Sequence, residues 1–358
     1  MTQMLSLDAH PEVVTPAAAS ANGAPPAPVL LAVDANAIVL AGPDPHAQAQ
    51  EAIALAAELA HAVPAPQVGT GPALPLLDRD LSILAFNERV LSWAERKDVP
   101  LLERLRYLCI VSSNLDEWFE VRSAPHVAVA QTGEERDSYT RTHFAALMDK
   151  AQALVAQQYQ IYNQALIPAF HTHGIRLISH GERNAAQRRW VHEYFLREVQ
   201  PLLVPVGLDP SHPFPQVANK ALNFIVRLDG VDAFGRANEV AIVKVPRALP
   251  RLIPMPQKIA GKQRLFVSIS SIVRAHLAEL FPGREVTEFS QFRVTRNSDL
   301  AVDEEDVINL RMALRQGLHH RHYGQAVRLE VSASCSAVLA NVLLQQHGLP
   351  QQALFRVK

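Results

Sequence analysis

Apolar residues recur along this chain in two rhythms, and the change between them falls near Gly174. Before it the period is that of an amphipathic helix. Leu84, Val90, Leu91 and Trp93 predict a helix over residues 81–97, and Pro100, with Glu103 in the first turn, opens a second over 100–111. A third is expected over 115–131. Phe144, Leu147, Met148, Ala151, Leu154, Val155, Tyr162, Ala165 and Leu166 draw one stripe along a fourth, over 140–173, which Pro168 kinks or restarts and Gly174 ends. Four antiparallel helices joined by short loops bury such stripes naturally. Between the second and third helices the pattern breaks at Ser112-Ser113-Asn114. Ser113-x-x-Asp116 and Asn114-x-x-Glu117 both fit a capping box, and the same triplet can instead offer donors and acceptors to a ligand, so both readings stay open.

Beyond Gly174 the apolar residues run in short strand-like blocks, over 175–178, 222–228, 240–245, 265–269, 286–295, 327–331 and 354–357. Helical patterns alternate with them at 184–199, 271–281, 303–320 and 336–347. Asp229-Gly230, ahead of the block that starts at Val240, predicts a hairpin. Upstream of Leu76, prolines from Pro16 to Pro75 interrupt an Ala-rich stretch that can form one weak helix over 48–62. The expected fold class is therefore α+β and multidomain. It comprises a disordered extension over 1–75, a helical bundle domain over 76–175 and an α/β domain with a mixed sheet over 176–358.

Composition adds bounds to this picture. With 358 residues, 48% of them apolar, and no uninterrupted apolar run long enough to span a bilayer, the chain reads as globular, with no transmembrane segment. The longest apolar run, 29–42, contains Asp34 and Asn36. Two cysteines, Cys109 and Cys335, build no disulfide framework and sit in no metal-binding spacing, which suits a reducing compartment. No Lys or Arg precedes Arg79, which argues against a secretory or organellar leader, so a cytoplasmic protein is expected. The chain from Arg79 onward carries 34 basic and 28 acidic residues, a net of +6. That bias suits a polyanionic ligand and falls far short of a nucleic-acid binder, so no nucleic-acid partner is expected.

Candidate chemistry is sparse. No Walker A motif and no glycine-rich phosphate loop is present, so any nucleotide site is built another way. His319, His320 and His322 suggest a metal cluster, but adjacent helical positions diverge, and a solvated helix end near the dipole is the alternative. In Asp209-Pro210-Ser211-His212-Pro213-Phe214-Pro215, followed by Asn219-Lys220, prolines fix an irregular loop. It is either a structural corner or an anion contact through Asn219 and Lys220. Arg183, Arg188 and Arg189 read as a solvated basic face.

Several motifs in fixed order resemble the polyphosphate kinases. They are Asp80-Leu81-Ser82 with Phe86-Asn87-x-Arg89-Val90-Leu91, Val99-Pro100-Leu101-Leu102-Glu103-Arg104-Leu105-Arg106, and Ser112-Ser113-Asn114-Leu115-Asp116-Glu117. His212-Pro213-Phe214-Pro215, Asn219-Lys220, Val245-Pro246, Leu249-Pro250-Arg251 and Phe292-Arg293-Val294-Thr295-Arg296-Asn297-Ser298-Asp299-Leu300 continue the series. The likeness runs from about Leu77 to the end of the chain and covers that family's helical N-terminal domain and most of its head domain.

The resemblance implies an enzyme that moves the terminal phosphate of ATP reversibly to inorganic polyphosphate, through a phosphohistidine on two later domains. This chain stops before those domains. No catalytic residue is therefore assigned, none of the 15 histidines takes the nucleophile's role, and the Mg2+ site expected for the family is not placed in this chain. One functional residue carries over: Asn114 matches the asparagine that contacts the adenine of ATP. The family also implies a homodimer formed largely through the head domain. Phe281, Phe289 and Phe292 are either surplus apolar surface for such a partner or head-domain core. Two functions remain in view, part of a polyphosphate kinase that contributes adenine binding and dimerisation, or a non-catalytic nucleotide-binding or dimerisation module of the same descent.

Overall fold

Asp78 starts the first helix by accepting the Leu81 N–H at 2.7 Å, and α1 (Arg79–Glu95) runs from there. After a five-residue turn ending in Pro100, α2 (Leu101–Thr132) continues for 32 residues to Gly133, whose φ of 77° terminates it. Thr140 caps α3 (Arg141–Ile161), accepting the His143 N–H at 3.0 Å. A π turn over Tyr162–Leu166 leads into α4 (Ile167–Thr172), and the wider turn falls directly before Pro168, whose ring would crowd an ordinary α-helical carbonyl. In the computed structural model the described residues are 76–209, 213–231, 235, 239–298 and 324–357. The expected extension over 1–75, the helix over 303–320 and His319, His320 and His322 lie outside them, as does His212.

The expected break at Ser112-Ser113-Asn114 does not occur. Leu108, Val111, Leu115, Trp118 and Phe119 are all buried, so the helical period passes unbroken through the polar triplet. The triplet's side chains cap nothing; Gln158 of α3 donates to Ser112 Oγ at 2.6 Å, and Asn114 turns to α1. Two predicted helices are thus one, and the bundle has three long helices among the described residues rather than four. Pro125 is tolerated inside α2 because the carbonyl it leaves without a donor belongs to Val121, which is 47% exposed.

The second half follows as β1 (Ile175–Leu177), α5 (Ala185–Tyr194), β2 (Val204–Gly207), β3 (Asn223–Asp229), β4 (Val240–Lys244), β5 (Leu252–Pro254), α6 (Gln257–Ala260), β6 (Arg264–Ser268), α7 (Ile269–Ala275), β7 (Glu285–Arg296), β8 (Ala326–Ser332), α8 (Ala337–His347) and β9 (Leu354–Val357). Six strands form one mixed sheet in the order β2-β4-β3-β7-β8-β9, antiparallel except for the β8–β9 pair. A small sheet, β1-β6-β5, stands apart from it. The hairpin expected after Asp229 joins β3 to β4 in register Asn223↔Lys244 to Arg227↔Val240. β2 and β5 were not foreseen. Both are short, and Pro205 and Pro254 lie within them at sheet edges, where a missing donor is harmless.

Alternation along the central strands divides two cores. Ile225, Ile242, Phe292 and Val294 face the helical bundle and α8, while Phe224, Val226, Ala241 and Val243 face α5, α7 and the small sheet. The bundle and one face of the large sheet therefore share a single apolar core. Two expectations change here. Phe281 and Phe292 are buried and Phe289 packs against the second core, so the three phenylalanines are not a surplus surface. Arg183, expected on a solvated face, is 2% exposed and donates to Ser271 Oγ at 2.5 Å, whereas Arg188 and Arg189 remain exposed.

Candidate functional site

Helix α2 presents the Ser112-to-Glu117 motif on two different faces, because two residues' travel turns a helix by roughly 200°. Leu108, Ser112, Leu115 and Asp116 line a cavity of about 570 Å3 between α2, α3 and the strands β7 and β8. Asn114 is absent from that lining. It is half-buried on the side facing α1, where its Nδ2 donates to Asn87 Oδ1 at 3.2 Å. Asn87, itself 2% exposed, donates to the Val111 carbonyl at 3.0 Å, so its amide group is held on both sides.

The cavity floor is ionic and closed on itself. Arg293 forks onto Asp116 through two 2.9 Å hydrogen bonds and reaches Glu330 at 2.5 Å. Arg328, 1% exposed, donates to Asp116 and lies 3.1 Å from Glu330, with its guanidinium 4.4 Å from the centre of the Phe119 ring. Burial alone would push the Asp116 carboxyl up, but Arg328 and Arg293 outweigh it and hold it below the usual range. Burial would likewise lower Arg293, and Glu330 and Asp116 hold it above its ordinary value. Tyr159 and Tyr162 stand in the wall, both raised chiefly by burial. Two cations and two carboxylates cancel here, so the cavity offers no spare charge to a triphosphate. Its chemistry suits an uncharged group.

Around Asn114 the surface is different. Tyr107 and Ile110 precede it by seven and four residues and so share its face of α2, while Phe86 stands beside Asn87 on α1. Ile110 is 37% exposed and Phe86 52%. Trp93 stacks on Tyr107 at 5.8 Å, and the Arg89 guanidinium lies 5.7 Å from the Phe86 ring centre. An amide beside exposed aromatic and apolar side chains is a surface on which a flat heterocycle can stack and be read by hydrogen bonds. The amide oxygen of Asn114 accepts no hydrogen bond among the described residues and stays available.

Several other motif residues bind side chains of α2. Glu120 of α2 receives Lys220 Nζ at 2.9 Å and Asn219 Nδ2 at 2.5 Å, and its carbonyl accepts the Ser298 N–H at 2.8 Å. Asn219 also accepts the Arg296 N–H at 2.9 Å, and Lys220 has φ of 55°. Asn219 and Lys220, the described end of that loop, thus take part in a structural corner, with the Lys220 charge already matched by Glu120. From the same stretch of α2, on another face, Trp118 Nε1 at 3.2 Å, Arg122 Nε at 2.5 Å and His126 Nε2 at 3.2 Å meet Asp80 of α1. Burial opposes ionisation of Asp80, but these partners hold its carboxyl well below the ordinary range.

No carboxylate cluster suited to Mg2+ occurs among the described residues. The one group of three metal-competent donors there is His192, His276 and Glu279, and its two imidazoles are the wrong chemistry for that ion. Sequence reasoning missed the Asp116–Arg293–Arg328–Glu330 group, whose members lie up to 214 positions apart in sequence. Only an apolar strand interrupted by an unexpected Arg328 hinted at it.

Comparison with known proteins gives a consistent result. Residues 76–178 match the family described as the polyphosphate kinase N-terminal domain, and residues 186–358 match the polyphosphate kinase middle domain. A polyphosphate kinase of Neisseria meningitidis serogroup B is 48% identical over 287 residues, covering 79% of this chain and 42% of that protein. One from Burkholderia multivorans is 47% identical over the same shares. Among solved structures, a polyphosphate kinase from Porphyromonas gingivalis superimposes with a TM-score of 0.64 at 26% identity, over 80% of this chain and 40% of that one. The chain thus spans less than half the length of these relatives.

The cavity floor generates a stability prediction. Asp116→Asn leaves buried Arg328 and half-buried Arg293 sharing Glu330 alone, and breaking a buried group of this kind costs about 3–5 kcal/mol. A loss of about 3 kcal/mol is expected in denaturant unfolding. A loss under roughly 1 kcal/mol, the range of an exposed pair, would show that apolar burial alone holds α2 to the sheet.

Proposed function

The chain belongs to the polyphosphate kinase family, and on that footing we propose that it is the nucleotide-recognising part of a cytoplasmic enzyme that transfers the terminal phosphate of ATP reversibly to inorganic polyphosphate. In this reading residues 76–175 form the family's N-terminal domain and 176–358 its head domain. The phosphohistidine and the Mg2+ that supports phosphoryl transfer belong to parts of the enzyme outside this sequence, where a cation clamp would stabilise the charge on the moving phosphoryl group. What this chain contributes is binding and orientation.

The observation that carries the reading is the surface around Asn114. Its amide, fixed by buried Asn87, shares one face of α2 with exposed Ile110 and with Tyr107, and exposed Phe86 is the neighbour of Asn87 along α1. The adenine of ATP would stack on these side chains and take a hydrogen bond from or to Asn114, leaving the triphosphate to point away from α2. The charge-neutral cavity on the opposite face of α2 is a poorer candidate, since its arginines are already committed to Asp116 and Glu330. Fixing the base in this way would aim the terminal phosphate at a nucleophile supplied elsewhere.

Homodimerisation through the head domain is the second part of the proposal, and it rests on family membership. Phe281, Phe289 and Phe292 lend it no support, because they pack in the cores.

Two measurements test these readings. In calorimetry with ATP and with adenosine, Asn114→Ala should weaken both ligands equally, by up to about tenfold, because one neutral hydrogen bond nets about 0.5–1.5 kcal/mol. An unchanged affinity would place the base elsewhere. In sedimentation over a range of concentrations the chain should approach twice its monomer mass of 39.4 kDa. A mass that stays at the monomer value at high concentration would remove the dimer.

A further inference from the structure

At the far side of the second core from the helical bundle, three side chains from two segments turn toward one point. His192 lies in the last turn of α5, His276 closes α7, and Glu279 follows in the short 3-10 turn Leu277–Leu280. His192 Nε2 is 3.2 Å from Glu279 Oε2, and His276 Nδ1 is 2.7 Å from Glu279 Oε1. One donor atom from each of the three lies within 4.8 Å of the other two. We propose that His192, His276 and Glu279 form a transition-metal site, with Zn2+ as its cation, that ties the end of α5 to the turn following α7.

The donor set selects the ion. Two imidazole nitrogens and one carboxylate oxygen are the ligands of Zn2+ and its neighbours, whereas Mg2+ and Ca2+ take oxygens. Tetrahedral Zn2+, with bonds of about 2.0–2.1 Å, spaces its donors about 3.3 Å apart. His192 and His276 approach different oxygens of Glu279, and one donor atom from each of the three lies within 4.8 Å of the others, so the side chains need only small rotations to close on one ion. Side-chain exposures of 46% for His192 and 39% for Glu279 leave the remaining coordination position open to water.

The scaffold holds these donors without the metal. Phe195, fully buried one turn after His192, stacks on the His276 ring with centroids 4.6 Å apart, and the two imidazoles lie nearly parallel at 5.0 Å. His276 and Glu279 belong to one tight turn, closed by the Glu279 N–H donating to the His276 carbonyl at 3.1 Å. A π turn, Phe195–Val199, begins three residues after His192, and such turns gather at functional positions. The outer nitrogen of His276, Nε2, is buried and has no acceptor. A metal-bound imidazole normally donates from that atom, and lack of such a partner costs about 10–100-fold in affinity, so the site should be weaker than one with that support.

The test uses the full chain stripped of metal and titrated with Zn2+ by calorimetry and with Co2+ by absorption. Wild type should bind one equivalent that His192→Ala and Glu279→Gln each weaken by roughly 100-fold or more, since a direct ligand counts for more than its outer support. Both substitutions fall on partly exposed side chains, and circular dichroism should show both variants folded. His192→Cys supplies a thiolate in place of one imidazole, so its Co2+ complex should gain a sulfur-to-cobalt charge-transfer band that wild type lacks. Wild-type affinity in either His192→Ala or Glu279→Gln, or no such band in His192→Cys, would overturn the proposal. Binding that depends equally on no one of the three residues would be background from other histidines and would overturn it as well.

Discussion

Arg328 is the constraint on which the helical bundle depends. A guanidinium in the middle of a sheet strand, 1% exposed, must find its compensation inside the protein, because a buried unpaired charge is costly. Glu330, two residues along the same strand, supplies part of it, and Asp116 from α2 supplies the rest. Since Arg293 on β7 needs the same two carboxylates, α2 can rest on the sheet in one rotation and one register only. Apolar burial would tolerate small slides of a 32-residue helix; a forked ion pair at 2.9 Å does not. Once Asp116 is drawn inward, Asn114 is turned outward by helical geometry, toward α1 and Asn87.

This accounts for the pattern of motifs along the chain. Asp116 meets Arg293 and Asn87 meets Asn114, each pair drawn from two separate motifs, and Asn219 and Lys220 of another motif meet Glu120, three residues past the end of the Ser112-to-Glu117 motif. Many residues of the family signature therefore hold elements together. Asn114 serves the packing through its amide nitrogen, its amide oxygen accepts no hydrogen bond among the described residues, and on that division the proposed nucleotide contact rests.

Elements with a clean period were legible in the sequence. The α1 and α3 stripes, the β3–β4 hairpin, α8 between Ser336 and Gly348, and the long β7 all stand where their apolar rhythm put them. Errors came where a polar run competed with the rhythm. Ser112-Ser113-Asn114 satisfies a capping pattern in isolation, yet Gln158 and Asn87, from other helices, supply its partners and the helix continues. β2 and β5 have only four and three residues, too few to show a period. Arg183 reads as solvent-facing by type, and only the distant Ser271 explains its burial. The charged cavity floor and the approach of His192 to His276 and Glu279 were illegible for the same reason, since they join residues far apart in sequence.

Helix α2 thus separates two faces, a neutral cavity toward the sheet and an aromatic surface toward α1, and the proposed ATP site lies on the second. Photolabelling with an azido-adenine analogue of ATP, followed by peptide mapping, discriminates between them directly. Label on α1 and the first half of α2, at Phe86, Tyr107 or Ile110, is the result expected, with competition by ATP and loss in Asn114→Ala. Label instead on Tyr159 or Tyr162, inside the cavity, would contradict the assignment.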